Sequence, residues 1–537
     1  MLAGDRKEDG MPDQTLTMNL PSFLSGRRTS GVLLHITSLP SQYGIGDMGP
    51  AAITWIDRLH AAGQGWWQAL PLGPTGYGDS PYQALSSFAG NGLLISPELL
   101  RQDGLLQANQ CEGPGFSSNL VDYGAVIQFK HRLLDQVWGN FSARAPKDLG
   151  RAYETFRHRH AHWLDDYALF RALKQKFHGI PYLDWPAALV RRTPAYLAEA
   201  RHELSQLIDK VCFAQFLIFE QALRLKEYAH SRRIGLIGDL PFFVSPDSCD
   251  VWAHPELFLL DEEQRPRFVA GVPPDYFNED GQLWGNPMYD WDALRHTRFR
   301  FLIDRVSALL AHVDVIRLDH FRAFAAAWHV PAEARTARMG CWKPGPGVDF
   351  FKAVEDELGS LPFIAEDLGV ITPDVCALRD EFRIPGTKVL QFAFDGNPDN
   401  PHLPENYSAN TVVYTGTHDN NTTRGWFEAL PEPERRRVWS YLKRSEGDSH
   451  EIAAELLRVA WSSVASLAIA PLQDLLNLGA DARMNLPGSR DAQWRWRSTD
   501  EMMRSSISER LRDVTATSNR LYAPESEATA NAVTAAT

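Results

Sequence analysis

Eight short apolar runs punctuate the chain, and each ends in polar residues or glycine. They read GVLLHITSLP (31–40), WWQALPLGP (66–74), IGLIGDLPFFV (234–244), VDVIRLDHF (313–321), LPFIAEDLG (361–369), KVLQFAF (388–394), NTVVYTGTHD (410–419) and SVASLAIAPLQD (463–474). Unbroken apolarity of this kind suits parallel strands buried on both faces; a strand with one wet face would alternate. Between many of the runs the period changes to that of a helix, as in PAAITWIDRLHAAG (50–63), WDALRHTRFRFLIDRVSALLAH (291–312) and PEPERRRVWSYLKRSE (431–446). Eight β runs with helices between them predict an α/β fold, a (β/α)8 TIM barrel.

One long segment, 98–230, breaks this rhythm and reads as mostly helical. Trp163, Tyr167 and Phe170 recur at i, i+4 and i+7, and Phe216, Phe219 and Leu223 at i, i+3 and i+7. Both stripes are expected to be core-facing sides of helices. The predicted organisation is therefore a barrel over 27–513 carrying a mainly helical subdomain over 98–230 between its second and third strands. Residues 1–26 are polar and lack the apolar stretch of a signal peptide, which predicts a flexible N-terminal tail. Residues 514–537 are small and polar, which predicts a disordered C-terminal tail.

Composition narrows the function classes. Asp and Glu number 67 against 54 Lys and Arg, a formal charge of −13. That excess opposes a general nucleic-acid binder, which needs a basic footprint. No apolar run approaches the roughly 18–20 residues that span a bilayer, so no membrane partner is expected. The five cysteines form no C-x-x-C pair, and their odd number fits a reducing cytoplasm better than a disulfide framework. Aromatic residues make up 11% of the chain, and several stand in Gly/Pro-rich loops, where flat apolar ligand faces are one use for them.

The polar groups share an address. Asp239, Arg317, Asp319, Glu366, His418 and Asp419 all fall at the C-terminal ends of β runs, which is where a barrel of this kind builds its active site. Arg317 and Asp319 are two apart and so share one face of a strand, whereas Asp367 points away from the face of Glu366. Carboxylates from several strands repel when they converge, and a fold does not gather them without a functional reason.

These runs, in this order, resemble the signature of the α-amylase clan: GDLPFF, RLDHF, AEDLG and THD after successive strands. Within that clan the longer strings YGDSPYQALSSFAGNGLLISPELL (77–100), GVPPDYFNEDGQLWGNPMYDW (271–291), PGTKVLQFAF (385–394), YTGTHDNNTTRGWF (414–427) and ARMNLPG (482–488) resemble the amylomaltase, or 4-α-glucanotransferase, family. The likeness runs from about residue 29 to about 500. The chain departs from the family pattern at Leu318, at Ala323, at Thr387, at Asn421 and over Asp491–Ala492–Gln493–Trp494. None of these changes removes a catalytic group.

The resemblance implies a retaining, two-step transfer of a 1,4-α-D-glucan segment to the 4-hydroxyl of an acceptor sugar. Asp319 would be the nucleophile, Glu366 the acid/base, and Asp419 the third carboxylate, holding the sugar hydroxyls. Arg317 is expected to stabilise the charge on Asp319, and Glu366 needs a raised pKa to carry a proton near neutral pH. His418 would bind sugar beside Asp419. Ser80 and Tyr82 match family positions that contact glucose units, and Tyr276, Phe277 and Trp284 lie in the loop that forms the active-site wall. The expected partners are α-1,4-glucans and maltooligosaccharides. No cofactor and no metal are expected: the chemistry needs neither, and the acidic loop FNEDGQ lacks calcium-loop spacing. An α-glucan hydrolase of the same clan is the near alternative. A carbohydrate-binding scaffold would have no need of Asp319 and Glu366 together, and a phosphate-using sugar enzyme would need a phosphate loop that the strand ends do not offer.

Overall fold

A computed structural model describes residues 27–521 except 145, 275–278, 446, 490–492 and 504. Its strands are β1 (Thr29–Leu33), β2 (Trp66–Gln68), β3 (Gly235–Leu240), β4 (Phe268–Val272), β5 (Gln282–Pro287), β6 (Val315–Leu318), β7 (Ala326–Pro331), β8 (Cys341–Pro344), β9 (Phe363–Ala365), β10 (Gly386–Val389), β11 (Thr411–Tyr414) and β12 (Leu467–Pro471). Eight of them close a parallel barrel in the order β1-β2-β3-β6-β9-β10-β11-β12 and back to β1. All eight predicted apolar runs are barrel strands. Their buried residues, such as Val315 and Ile316 or Leu467 to Ala470, are apolar on both faces because helices cover the outside.

Closing the barrel requires close backbone approach at one place. Gly31, Trp66 and Gly235 stand in register on β1, β2 and β3. A Cβ at Gly31 would lie 2.6 Å from the Trp66 Cβ, and one at Gly235 would lie 2.3 Å from its ring. The indole on β2 therefore needs glycine on both sides.

The remaining four strands form an antiparallel sheet in the order β5-β4-β7-β8. Strands β4 and β5 belong to the connection that leaves the C-terminal end of β3, and β7 and β8 to the one that leaves β6. The sheet thus joins two loops on the side of the barrel where the site forms.

Between β2 and β3 the chain runs through helices Pro97–Gln102, Tyr123–Arg144, Lys147–Lys176, Ala187–Val190, Pro194–Glu203 and Ser205–Ser231. Trp163, Tyr167 and Phe170 are buried, in line with the first stripe, but Leu223 of the second is 44% exposed. The face of helix Ser205–Ser231 changes partway along. Phe213 and Phe216 meet the rings of Phe141 and Tyr153, while Ala222, Leu225 and Ala229, about half a turn around, are the buried side later on. A single i, i+3, i+7 stripe does not describe a helix with two successive neighbours.

Two other expectations are corrected. The helix predicted over 291–312 is two helices, Trp291–His296 and Arg300–Leu310, because Arg298 and Phe299 turn left-handed. That turn buries the Phe299 ring edge-on against Phe350, 6.0 Å away. The tail predicted from 514 begins too early. Helix Ser505–Thr517 runs into it, and Thr515 and Arg520 are fully buried. Arg520 donates to the carbonyls of Thr29, Trp461, Ser463 and Ala465, which ties this segment under the start of β1. The expected tail over 1–26 and the rest of the C-terminal one lie outside the described residues.

Candidate active site

The register of the barrel decides which side chains meet. Asp239 on β3 pairs with Arg317 on β6, and Leu318 pairs with Ala365 on β9. One step further along, Asp319 and Glu366 leave the sheet side by side. Backbone bonds continue the pairing there: Asp319 N donates to Leu240 O, Glu366 N to Leu318 O, and Phe321 N to Glu366 O, at 3.0–3.1 Å. Neighbouring strands run about 4.7–4.9 Å apart. Asp319 and Glu366 are therefore neighbours at one level of adjacent strands, the arrangement that retaining glycoside chemistry, with two carboxyls roughly 5 Å apart, calls for.

Beneath them sits a buried polar layer. Arg317 Nη1 donates to both oxygens of Asp239 at 2.9 and 2.8 Å and to Asp319 Oδ1 at 3.1 Å. Tyr82 donates its hydroxyl to Asp239 Oδ2 at 2.9 Å. Burial would lower the Arg317 pKa, but Asp239, Tyr82, Asp319 and Glu366 together raise it well above the ordinary value, so the guanidinium stays charged. Burial, reinforced by the Asp239 charge, keeps Tyr82 a neutral phenol.

Glu366 holds its proton more tightly than an ordinary glutamate. Burial raises its pKa well above the ordinary glutamate value, opposed by Arg317 and reinforced by the nearby Asp319 charge. Its Oε2 accepts from His320 N at 2.7 Å, which leaves Oε1 for the proton. That bond depends on a left-handed turn at His320, with φ of 51°, a conformation that costs about 1–2 kcal/mol for a residue with a Cβ. The imidazole of His320 is held below ordinary values, at about 4, chiefly by burial. It lies edge-on to Trp284, with ring centroids 4.8 Å apart, and near Phe243.

The third carboxylate comes from the turn after β11. His418 Nε2 lies 3.3 Å from Asp419 Oδ2. Burial lowers the pKa of His418, so the ring is neutral despite Asp419 beside it. Tyr82 stacks on the imidazole at 5.1 Å and 12°, and Trp494 leans against both rings at 5.8 Å. Asn485 Nδ2 donates to Asp419 Oδ1 at 2.5 Å, and Arg483 donates to the Asp419 carbonyl at 2.6 Å. Asp319, Glu366 and Asp419 are partly open to solvent at the mouth, while Arg317 and Asp239 below them are buried.

The structure thus brings together Arg317, Asp319, Glu366, His418, Asp419 and Tyr82. Ser80 shapes the loop that delivers Tyr82: its hydroxyl accepts from Tyr82 N at 3.2 Å. Trp284 reaches the site through His320. Tyr276 and Phe277 lie outside the described residues. Asp367 faces away and binds Thr387 N and Arg379 instead. Sequence reasoning did not single out Trp494, Asn485 or Arg483 as members of the site, since they stand in an irregular segment with no period to read. It also passed over His320, whose contribution is a backbone N–H. Among the described residues no group of three or more His, Cys, Asp or Glu side chains is placed to hold a metal ion.

A family model described as 4-alpha-glucanotransferase matches residues 34–502. The chain is 46% identical to the 4-alpha-glucanotransferase of Thermus thermophilus over 92% of its own length and 99% of that protein's. It is 47% identical to the enzyme of the same description from Synechocystis, over 91% of this chain and 97% of that one. Among solved structures, the amylomaltase from Streptococcus agalactiae in complex with acarbose superposes with a TM-score of 0.89 at 37% identity, covering 92% of this chain and 100% of that one.

Proposed function

The chain belongs to the 4-alpha-glucanotransferase family, and from that premise we propose how its side chains divide the transfer of a 1,4-α-glucan segment. Asp319 attacks C1 of the donor sugar while Glu366 gives its proton to the glycosidic oxygen. The C1–O bond breaks, the reducing-end fragment leaves, and a glycosyl ester to Asp319 remains. An acceptor 4-hydroxyl then gives its proton to Glu366 and attacks C1, which releases Asp319 and restores both carboxyls. Asp419, gripped by Asn485 and Arg483, holds hydroxyls of the reacting sugar with His418. Arg317 opposes the charge on Asp319 from below.

Ser80, Tyr82 and Trp284 line the path of the glucan, and Tyr276 and Phe277 bind it as well. Their flat faces suit the C–H faces of glucose rings, and a covered site favours a sugar acceptor over water. Maltooligosaccharides and α-1,4-glucans are the donors and acceptors. All five cysteines are free thiols, in keeping with a cytoplasmic enzyme. Among the described residues no helix is long and apolar enough to cross a membrane.

The observation that carries this reading is the pairing of Asp319 with Glu366 at one level of adjacent strands, with Glu366 held as the acid. Maltotriose tests it. The protein is expected to give glucose plus a ladder of longer oligomers, and Asp319→Asn to lose at least about 10⁴-fold in rate, the scale of removing a nucleophile, with an unchanged melting temperature. Near-normal turnover by Asp319→Asn would overturn the assignment.

A further inference from the structure

We propose that Asp474, in the one-turn helix Leu472–Leu475 that follows β12, is a positioning residue that holds the loop carrying His418 and Asp419 in its working shape. The inference rests on the reading of Asp419 as a group that holds the reacting sugar.

The loop from Thr415 to Thr423 leaves β11 and enters helix Thr423–Ala429. Asp474 binds both of its ends. Thr415 Oγ1 and Thr423 Oγ1 each donate to Asp474 Oδ2 at 2.6 Å, and Thr423 N donates to Oδ1 at 2.7 Å. One carboxylate thus closes the loop into a ring at its base. At the tip, Asn420 Oδ1 accepts from Thr417 N and Oγ1, and the grip of Arg483 and Asn485 on Asp419 fixes the rest.

A small cavity of about 30 Å3 borders the loop, lined by His35, His418, Asn421, Asp474 and Arg483 among others. The loop ends are buried, and short hydrogen bonds to a buried carboxylate are the strong kind. Asp474 is 5% exposed and is satisfied by neutral donors, with no charged neighbour contributing to its ionisation. A buried carboxylate without a cation is expensive to keep. Its three donors all belong to the loop that carries the third carboxylate, and that gives its retention a purpose.

The test is kinetic. Asp474→Ala is expected to lower kcat for maltotriose about 10²-fold, the scale of a displacement near 1 Å at a reacting centre, with a smaller change in KM. Asp474→Asn keeps one acceptor and is expected to lose about 10-fold, a partial rescue. The deciding measurement is a cycle with Asp419→Asn, using α-maltosyl fluoride so that slow variants remain measurable. If Asp474 acts through Asp419, adding Asp474→Ala to Asp419→Asn changes the rate by less than about threefold, since residues that act as a unit are not additive. Independent, multiplying losses would overturn the proposal, as would an unchanged kcat in Asp474→Ala. Should that variant fail to fold, Thr415→Val with Thr423→Val removes the two hydroxyl donors and must show the same non-additivity. If Asp419→Asn alone retains near-normal activity, the reading of Asp419 fails instead.

Discussion

Replacing Glu366 by Gln removes one proton from the site and little else. The amide is nearly the same size, and its carbonyl oxygen can still accept from His320 N, now 2.7 Å from Glu366 Oε2. The NH2 group then stands where Oε1 carries the proton. General acid catalysis contributes about 10²–10⁴-fold, which at 1.36 kcal/mol per tenfold is about 3–5 kcal/mol of barrier. Transfer from maltotriose is therefore expected to fall by that factor with the fold intact. The assay uses two donors. Maltotriose has a leaving sugar that needs the proton, whereas α-maltosyl fluoride has a leaving group that departs without it. Formation of the Asp319 ester from the fluoride should stay within about tenfold of the unaltered protein, a bound set by the absence of any acid contribution. Equal losses with both donors would refute the reasoning, because Glu366 would then be positioning the substrate rather than protonating it.

Three further outcomes follow from the same structure. Arg317→Met leaves Asp239 buried without its cation and is expected to cost about 3–5 kcal/mol of stability, read by denaturant unfolding; Arg317→Met with Asp239→Leu should recover part of it. Acid should destabilise the fold: His35 is held at about 3, and His160, His312, His320, His329 and His402 at about 4, each chiefly by burial. The unfolded chain binds those protons near pH 6.5 and the folded one does not, so melting temperature falls as pH drops from about 6.5 towards 4, and His35→Gln flattens the slope; a flat profile over that window would contradict the burial of these rings. Phe216→Ala is expected to cost about 3–5 kcal/mol and Leu223→Ala less than about 0.5 kcal/mol, and equal costs in thermal or denaturant unfolding would restore the single-stripe picture of that helix.

Much of the barrel was legible because a strand buried on both faces leaves an uninterrupted apolar run, and nothing else in a chain of this kind produces eight of them. The carboxylates were legible because they end those runs. What failed was local competition with tertiary packing. A helix pattern over 291–312 does not announce that Phe299 is worth more buried against Phe350 than kept in register with the helix. Leu223 satisfies a helical period and still faces solvent, since period says nothing about when a helix changes neighbours. Arg520 looks like part of a polar tail, yet its guanidinium donates to four carbonyls that only the closed barrel brings together.

The residues of both layers of the site were legible at or near strand ends; the contacts that tie the lower layer together were not. The upper layer, Asp319, Glu366 and Asp419, is partly open to solvent and stands at strand ends, where position alone suggests chemistry. The lower layer works through pairings across strands: Asp239 to Arg317, Tyr82 to Asp239, and His320 N to Glu366. These contacts join residues 157, 78 and 46 positions apart, so they exist only once the register is set. The register also makes them cooperative. A one-residue slip of β6 against β3 would turn Arg317 away from Asp239 and move Asp319 off the level of Glu366 in the same step. The buried ion pair and the placement of Asp319 beside Glu366 are thus set by the same register. Under the proposed assignment, that coupling gives a costly charge pair one pleat repeat below Asp319 a reason to be kept.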